Sequence, residues 1–334
     1  MPRPSPALVS LAALALLAGC AGTTGDDAGA APTPGSAEAP SAEAAGFPVT
    51  VSSCGTETTL DAPPERIVTI KSSATEMVVA LGAGDRLVGT AFLDGPLPPG
   101  VPEPPVLAER NPSREAVLEL APDLVYAGWE SNLSADGAGE RAGYEELGIS
   151  TFVSPAACQA PEHQPDPLTF EDVFAEIEEV GRMLGAEEEA TALVAEQRAA
   201  LDAVTPAGAG LSALWYSSGS DTPFVGAGIG APQMIMSAAG LENIAADVED
   251  TWTSLSWEAV AERDPDVIVL VDSAWNTAEH KIEVLETNPV TAALPAVHEQ
   301  RYLTVPFPAT EAGVRNVAAV VDLTEQLAAL PGAP

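Results

Sequence analysis

From residue 67 onward the chain alternates short apolar runs with longer segments in which apolar residues return every three to four positions. Ile67-Val68-Thr69-Ile70 reads as a buried strand, Met77-Val78-Val79-Ala80-Leu81 as a helix ended at Gly82, and Leu87-Val88-Gly89-Thr90 as the next strand. Upstream, Val49 to Leu60 with Cys54-Gly55 at its middle reads as a hairpin. The second half repeats the alternation. Leu211 to Tyr216 is a strand, followed by a Gly- and Ser-rich loop from Ser217 to Gly230 and a helix from Gln233 to Ala239, closed by Gly240. Val267 to Val271 and Tyr302 to Val305 are further strands, and Val314 to Leu330 is a closing helix. Strands alternating with helices predict an α/β fold with mostly parallel sheets. The middle differs. Phe170, Val173, Phe174, Ile177, Val180, Met183 and Leu184 keep a helical period behind the N-cap Thr169, Gly185 interrupts it, and the period resumes to Val204.

One pattern occurs twice without a gap. Ser113-Arg114-Glu115-Ala116-Val117 leads through Glu119 to Pro122-Asp123-Leu124, and Ser256-Trp257-Glu258-Ala259-Val260 leads through Glu262 to Pro265-Asp266-Val267. In both copies Ser caps a helix, Glu suits the positive end of the helix dipole, and Pro-Asp stops the helix before a strand. Two copies so far apart predict two similar lobes. A chain of 334 residues is long enough for two domains.

The N-terminus changes the picture. Arg3, then an apolar run from Leu8 to Leu17, then Leu17-Ala18-Gly19-Cys20 resembles a bacterial lipoprotein signal peptide. That resemblance implies lipidation of Cys20 after removal of residues 1–19, and a membrane anchor through the lipid. Residues 20–47 are built from Ala, Gly, Pro, Ser, Thr, Asp and Glu and predict a disordered tether spanning roughly 25–30 Å. Export leaves Cys54 and Cys158 in an oxidising compartment, where a disulfide between them is expected; two buried free thiols are the alternative. The net charge of −36, with Lys71 and Lys281 the only lysines, excludes a basic nucleic-acid-binding surface.

Pro64-Glu65-Arg66-Ile67-Val68, Ala80-Leu81-Gly82, Asp85-Arg86-Leu87-Val88-Gly89, Gly181-Arg182-Met183-Leu184-Gly185 and Ala239-Gly240-Leu241-Glu242-Asn243-Ile244 together resemble the bacterial periplasmic-binding proteins of the iron-siderophore and cobalamin type. The resemblance covers roughly residues 48 to 330. It implies an N-terminal lobe over 48–168, a long rigid helical linker over 169–204, a C-terminal lobe over 205–334, and a ligand cleft between the lobes. It also implies a monomeric capture component of an ABC importer, working with a permease dimer and its cytoplasmic ATPase, with Glu115 and Glu258 docking on the permease. A ligand-binding adhesion or signalling lipoprotein on the same fold is the alternative.

Enzymatic motifs are missing: Gly-x-Ser-x-Gly and a P-loop are absent, and His163, His280 and His298 are scattered. No catalytic residues, resident cofactor or bare-metal site are therefore expected. Ligands of parallel sheets bind outside the carboxyl ends of strands, which selects the loops beginning at Lys71, Phe92, Trp129 and Ser154. The candidate ligand residues are Lys71, Ser72, Thr75, Phe92, Trp129, Glu130, Trp215, Tyr216, Phe224, Trp252, Trp275, Asn276, Phe307 and Arg315. The aromatics suit a flat conjugated ligand, unless they are lobe core. Lys71 and Arg315 suit a ligand carboxylate or phosphate, unless they are structural ion pairs. Thr69-Ile70-Lys71-Ser72, Tyr126-Ala127-Gly128-Trp129, Trp215-Tyr216-Ser217 and Ala274-Trp275-Asn276 further resemble an actinobacterial subgroup proposed to bind the deazaflavin coenzyme precursor. Ferric siderophore, cobalamin and haem remain the broader ligand options.

Overall fold

The structure, a computed structural model, describes residues 46–98, 101–164 and 166–330. The expected signal peptide, the expected lipidation position Cys20 and almost all of the expected tether lie outside the described residues.

The N-terminal lobe begins with an antiparallel hairpin, β1 (Val49–Ser53) and β2 (Thr56–Leu60). Its sheet contains β3 (Ile67–Ile70), β4 (Leu87–Ala91), β5 (Val106–Ala108), β6 (Leu124–Ala127) and β7 (Ser150–Val153). All five are parallel, in the order β5-β4-β3-β6-β7. Such sheets are covered on both faces, which is why β3 and β6 read as unbroken apolar runs. Ile67, Tyr126 and Phe152 face α1 (Ser72–Ala80) and the linker, while Val68, Val125 and Val153 face α2 (Arg114–Glu119) and α3 (Arg141–Glu145). Helix α1 starts five residues earlier than its apolar run, because Ser72, Ser73, Thr75 and Glu76 are polar yet buried against the other lobe and the cleft floor.

The helical connection has two packed pieces, α4 (Phe170–Leu184) and α5 (Glu187–Asp202), which meet at Gly185 in the left-handed conformation. In the C-terminal lobe β8 (Ser212–Ser218), β9 (Phe224–Gly226), β10 (Glu242–Asn243), β11 (Trp252–Ser254), β12 (Val267–Asp272) and β13 (Tyr302–Pro306) form one sheet of order β11-β9-β8-β12-β13, with β10 alongside β8. Its helices are α6 (Ala231–Ala239), α7 (Trp257–Arg263), α8 (Ala278–Thr287), α9 (Pro295–His298) and α10 (Asn316–Ala329). The β8–β12–β13 centre is parallel; β9 and β11 add an antiparallel edge within and beyond the loop expected over 217–230. Three-residue strands leave too short an alternation to be seen in the sequence. One apolar core runs from α1 through α4 and α5 to α6 and α10, so the lobes share a packed interior. That continuity stiffens the connection.

The repeated pattern is repeated in geometry. Ser113 Oγ accepts the Ala116 N–H at 3.2 Å, and Ser256 Oγ accepts the Ala259 N–H at 3.1 Å. Both helices end on a non-glycine residue with positive φ, Ala121 at 43° and Asp264 at 41°. Asp123 then accepts the backbone N–H groups of Glu65 and Arg66, and Asp266 that of Ser212. Each Asp thereby pins the chain that enters its lobe's central strand.

Candidate ligand-binding cleft

A cleft of about 730 Å³ lies between the lobes. The loops after β4, β6 and β7 bring Phe92, Trp129 and Ser154 to one wall; the end of β8 and the loops after β12 and β13 bring Ser217, Trp275 and Phe307 to the other. Parallel strands end together at one edge of each sheet, so the cleft follows from topology. The antiparallel edge adds Phe224 and Trp252, stacked 5.7 Å apart with 14° between their planes.

Lys71 sits at the bottom of this cleft, wholly buried. Its Nζ is 3.6 Å from the ring centroid of Trp129, 4.3 Å from that of Phe92 and 4.8 Å from that of Phe307. The same ammonium is 2.5 Å from Asp94 Oδ2 and 3.6 Å from Glu311 Oε1. The first approach is too oblique for a directed hydrogen bond, so the contact is an ion pair. Lys71 adopts φ 87°, ψ 150°, a region that is almost exclusively glycine's and costs about 1–3 kcal/mol. It is held there by its N–H to Ala91 O and by its carbonyl, which accepts from Thr75 N–H and Oγ–H. Gly128 is required above it, because a Cβ there would lie 2.8 Å from Lys71 Cβ and 2.6 Å from Ser73 Oγ.

Of the residues expected to meet ligand, Phe92, Trp129, Phe224, Trp252, Trp275 and Phe307 line the cleft. The others stand elsewhere. Of the two readings left open for Lys71 and Arg315, a ligand anion or a structural ion pair, both side chains here stand in ion pairs. Lys71 has no exposed surface, and Arg315 is held by Glu76 through two contacts of 2.5 Å and by Pro96 O at 2.8 Å. Ser72 Oγ is buried, accepting the Asp94 N–H, and Thr75 pairs with Thr69. Trp215 and Tyr216 point into the two sides of the C-terminal core, because β8 is a central strand buried on both faces. Glu130 accepts the Gln159 N–H, and the Asn276 carbonyl accepts from Lys281, a buried amine that burial lowers to about 8 despite the opposing pull of Asp272. The charged lining residues escaped the sequence reading: Asp94, Arg110, Asp250 and Glu311. Asp94 and Glu311 follow the ends of β4 and β13, as the positional rule requires, but carboxylates carry little signal in so acidic a chain. Arg110 is the one cationic residue lining the cleft among the described residues, and it stacks 5.0 Å from the Phe92 ring.

The cleft floor also ties the lobes together. Ser73 Oγ donates to Glu311 Oε2 at 3.0 Å, and Arg315 reaches across to Glu76. Burial raises the Glu311 carboxyl to about 7, with Lys71 lowering it and Asp94 raising it. Burial likewise raises Asp94 and Glu76 against the pull of their cationic partners. Cys54 and Cys158 are joined by a disulfide with Cα atoms 5.1 Å apart, beside the first lobe's wall of the cleft.

A fourth buried carboxylate, Glu176 of α4, accepts hydrogen bonds from Tyr126 Oη at 2.9 Å and from the cleft residue Ser154 at 3.0 Å. Burial raises it from 4.5 to about 7, although both hydrogen bonds oppose the rise. The folded state therefore holds this proton more tightly than the unfolded chain. The corresponding stability is complete below pH 4.5 and is lost as pH rises to about 7, a loss of about 3 kcal/mol. Glu176→Gln should consequently gain about 2–3 kcal/mol over the parent at pH 8 and little at pH 4, read from urea unfolding. An equal difference at both pH values would refute this.

Residues 67–309 match the family profile described as periplasmic binding protein. An uncharacterised ABC transporter substrate-binding lipoprotein of Bacillus subtilis, YvrC, is 27% identical over 297 residues, covering 84% of this chain and 86% of that one. A cobalamin-binding protein of Halobacterium salinarum is 33% identical over 259 residues, 73% of this chain, and the match spans 64% of the archaeal protein. Among solved structures, the ABC-type Fe3+-hydroxamate transport protein of Saccharomonospora viridis superposes with a TM-score of 0.72 at 27% identity, covering 84% of this chain and 99% of that one. The periplasmic haem-binding protein RhuT of Roseiflexus gives 0.63 at 26%, with coverages of 78% and 97%. The two lobes of mainly parallel sheet, the cleft at their strand ends and the profile spanning most of the chain agree, and the protein belongs to the periplasmic binding protein family, whose members capture ligands and do no catalysis.

Proposed function

We propose that this protein is the ligand-capture component of an ABC importer, anchored outside the cell membrane through a lipid on Cys20. In this reading it binds a metal-chelate or conjugated cofactor-type ligand of the ferric-siderophore, cobalamin or haem class and delivers it to a permease dimer driven by a cytoplasmic ATPase. The carrying observation is the aromatic-walled cleft at the joined strand ends of two lobes, large enough for a bulky flat ligand. Relatives that are named for cobalamin, Fe3+-hydroxamate and haem support the class. The deazaflavin coenzyme precursor is the finer reading. It is supported by the stacked Phe224–Trp252 pair and the Trp129 and Trp275 faces, which suit a planar ring system.

Trp129, Trp252 and Trp275 make the test direct. Titration of the purified protein with cyanocobalamin, a ferric hydroxamate, haemin and the deazaflavin coenzyme precursor should quench tryptophan fluorescence saturably with at least one of them. Saturation by the deazaflavin compound alone would favour the finer reading. Failure of all four to bind would remove the ligand class.

A further inference from the structure

Resting on the reading that a conjugated ligand occupies the cleft, we infer that Lys281, itself out of a ligand's reach, is a positioning residue that holds Trp275 in the cleft wall as a fixed aromatic face for that ligand. The turn after β12 carries the tryptophan. Asn276 N–H donates to Ser273 O at 3.2 Å and the two residues form an antiparallel bridge, which puts Ala274 and Trp275 at the tip. Trp275 lines the cleft, is 46% exposed and meets Phe307 edge-on, with ring centroids 5.5 Å apart. It belongs to none of the apolar cores, so the turn beneath it sets its direction.

That turn is fastened from inside the lobe. Lys281 Nζ, on α8, donates to Val271 O and to Asn276 O, both at 2.6 Å. Val271 belongs to β12 and Asn276 closes the turn, so one ammonium ties the turn to the strand that precedes it. Ser273 Oγ donates to the same Asn276 carbonyl at 3.2 Å. Asp272 Oδ1 accepts the Ala278 N–H at 2.9 Å, which fixes the junction between the turn and α8. Hydrogen bonds to a charged donor are the stronger kind, and here two of them converge on one short segment.

A lysine is a costly residue for this place. Its side chain is wholly buried, its Nζ lies 6.0 Å from the Tyr216 ring, and no carboxylate pairs with it among the described residues. It is also the fourth residue of α8, close to the positive end of that helix's dipole, where a cation is disfavoured. A methionine or leucine would pack in this core without either cost. Local rules broken in this way mark functional positions. The return is a preorganised ring: a tryptophan already held in place needs little further ordering when a planar ligand stacks on it.

The test is a double-mutant cycle on affinity. Binding of cyanocobalamin, a ferric hydroxamate, haemin and the deazaflavin coenzyme precursor is measured by equilibrium dialysis and read from each probe's own absorbance, so that removing a tryptophan does not remove the signal. For a probe that binds the parent, Trp275→Ala should weaken binding at least about tenfold, as loss of an aromatic anchor does. Lys281→Met, similar in shape but without the donors, should weaken it roughly threefold to tenfold. The double variant should bind as Trp275→Ala alone does, because Lys281 acts only through Trp275. A merely structural lysine would weaken binding in either background, so a further loss on adding Lys281→Met to Trp275→Ala overturns the inference. Parent-like binding by Lys281→Met overturns it too. If Lys281→Met does not fold, Lys281→Gln, whose amide keeps N–H donors, takes its place in the cycle. Trp275→Ala removes a half-exposed side chain and so keeps the fold; parent-like binding by this variant sinks the inference and leaves the ligand class standing. If none of the four probes binds the parent, the ligand class itself fails and the inference falls with it.

Discussion

Ligand uptake is expected to stop when Glu115 and Glu258 are both replaced by Ala, while ligand affinity stays unchanged. Each carboxylate is exposed, in the first turn of a short Ser-capped helix, and each occupies the same place in its own lobe. Neither lines the cleft, so neither substitution touches ligand. As local stabilisers each is worth only about 0.3–1 kcal/mol against the helix dipole. A matched pair on two lobes is worth far more to a partner. A permease presenting two arginines would grip the body at both points, and removing one side of a desolvated charge pair typically costs about 2–5 kcal/mol. Losing two such pairs weakens docking by roughly a thousandfold or more. The measurement is transport into proteoliposomes that contain the permease and ATPase, beside a quenching titration of the soluble body. Wild-type transport by the double variant would return both residues to a purely helical role.

Replacing Cys54 and Cys158 by Ala is expected to lower the stability of the folded body by about 4–5 kcal/mol. The bond closes a loop with a sequence separation of 104, which contains the whole first-lobe sheet. Freeing a loop of that length returns about 4.7 kcal/mol of conformational freedom to the unfolded chain in the entropic account. The bond also fastens the turn between β1 and β2 to the segment after β7, next to the strand on which β2 packs. Cys54 has φ 47°, so Ala at that position retains a strained backbone without the cross-link that holds it. Urea unfolding of the oxidised parent and the double variant checks this. A loss below about 1 kcal/mol would show that the hairpin and sheet hold the first lobe without the bond.

The architecture was legible because its strands are buried on both faces and so stand out as apolar runs: Ile67–Ile70 and Val267–Val271 each mark an interior strand of a lobe. The duplicated Ser-to-Asp segment was legible for a second reason, since its cap, its stop and its strand clamp are all made by local residues. The site was legible only in part. The loop rule found the aromatic walls at Phe92, Trp129 and Phe307. It left Lys71 undecided because a cation's availability depends on neighbours far away in sequence, here Glu311, 240 residues on. Trp215 and Trp275 look alike as letters, yet one is wholly enclosed and the other is 46% exposed. Which of the two meets solvent is decided by strand position in the sheet, and β9 and β11, which set that position for β8, were too short to be read.

The burial of both lysines has a practical outcome. Lys71 and Lys281 are the only two in the chain, and neither shows any surface. Amine-reactive dyes, acyl donors and lysine cross-linkers therefore find no side-chain target on the native body. A lysine-specific endoprotease meets the same barrier, because its cut requires the chain around the lysine to open first. Each lobe contains one such site. A cut at Lys71 and a cut at Lys281 leave product pairs of different lengths, and their rates of appearance separately time the opening of the first and second lobes, with no label introduced.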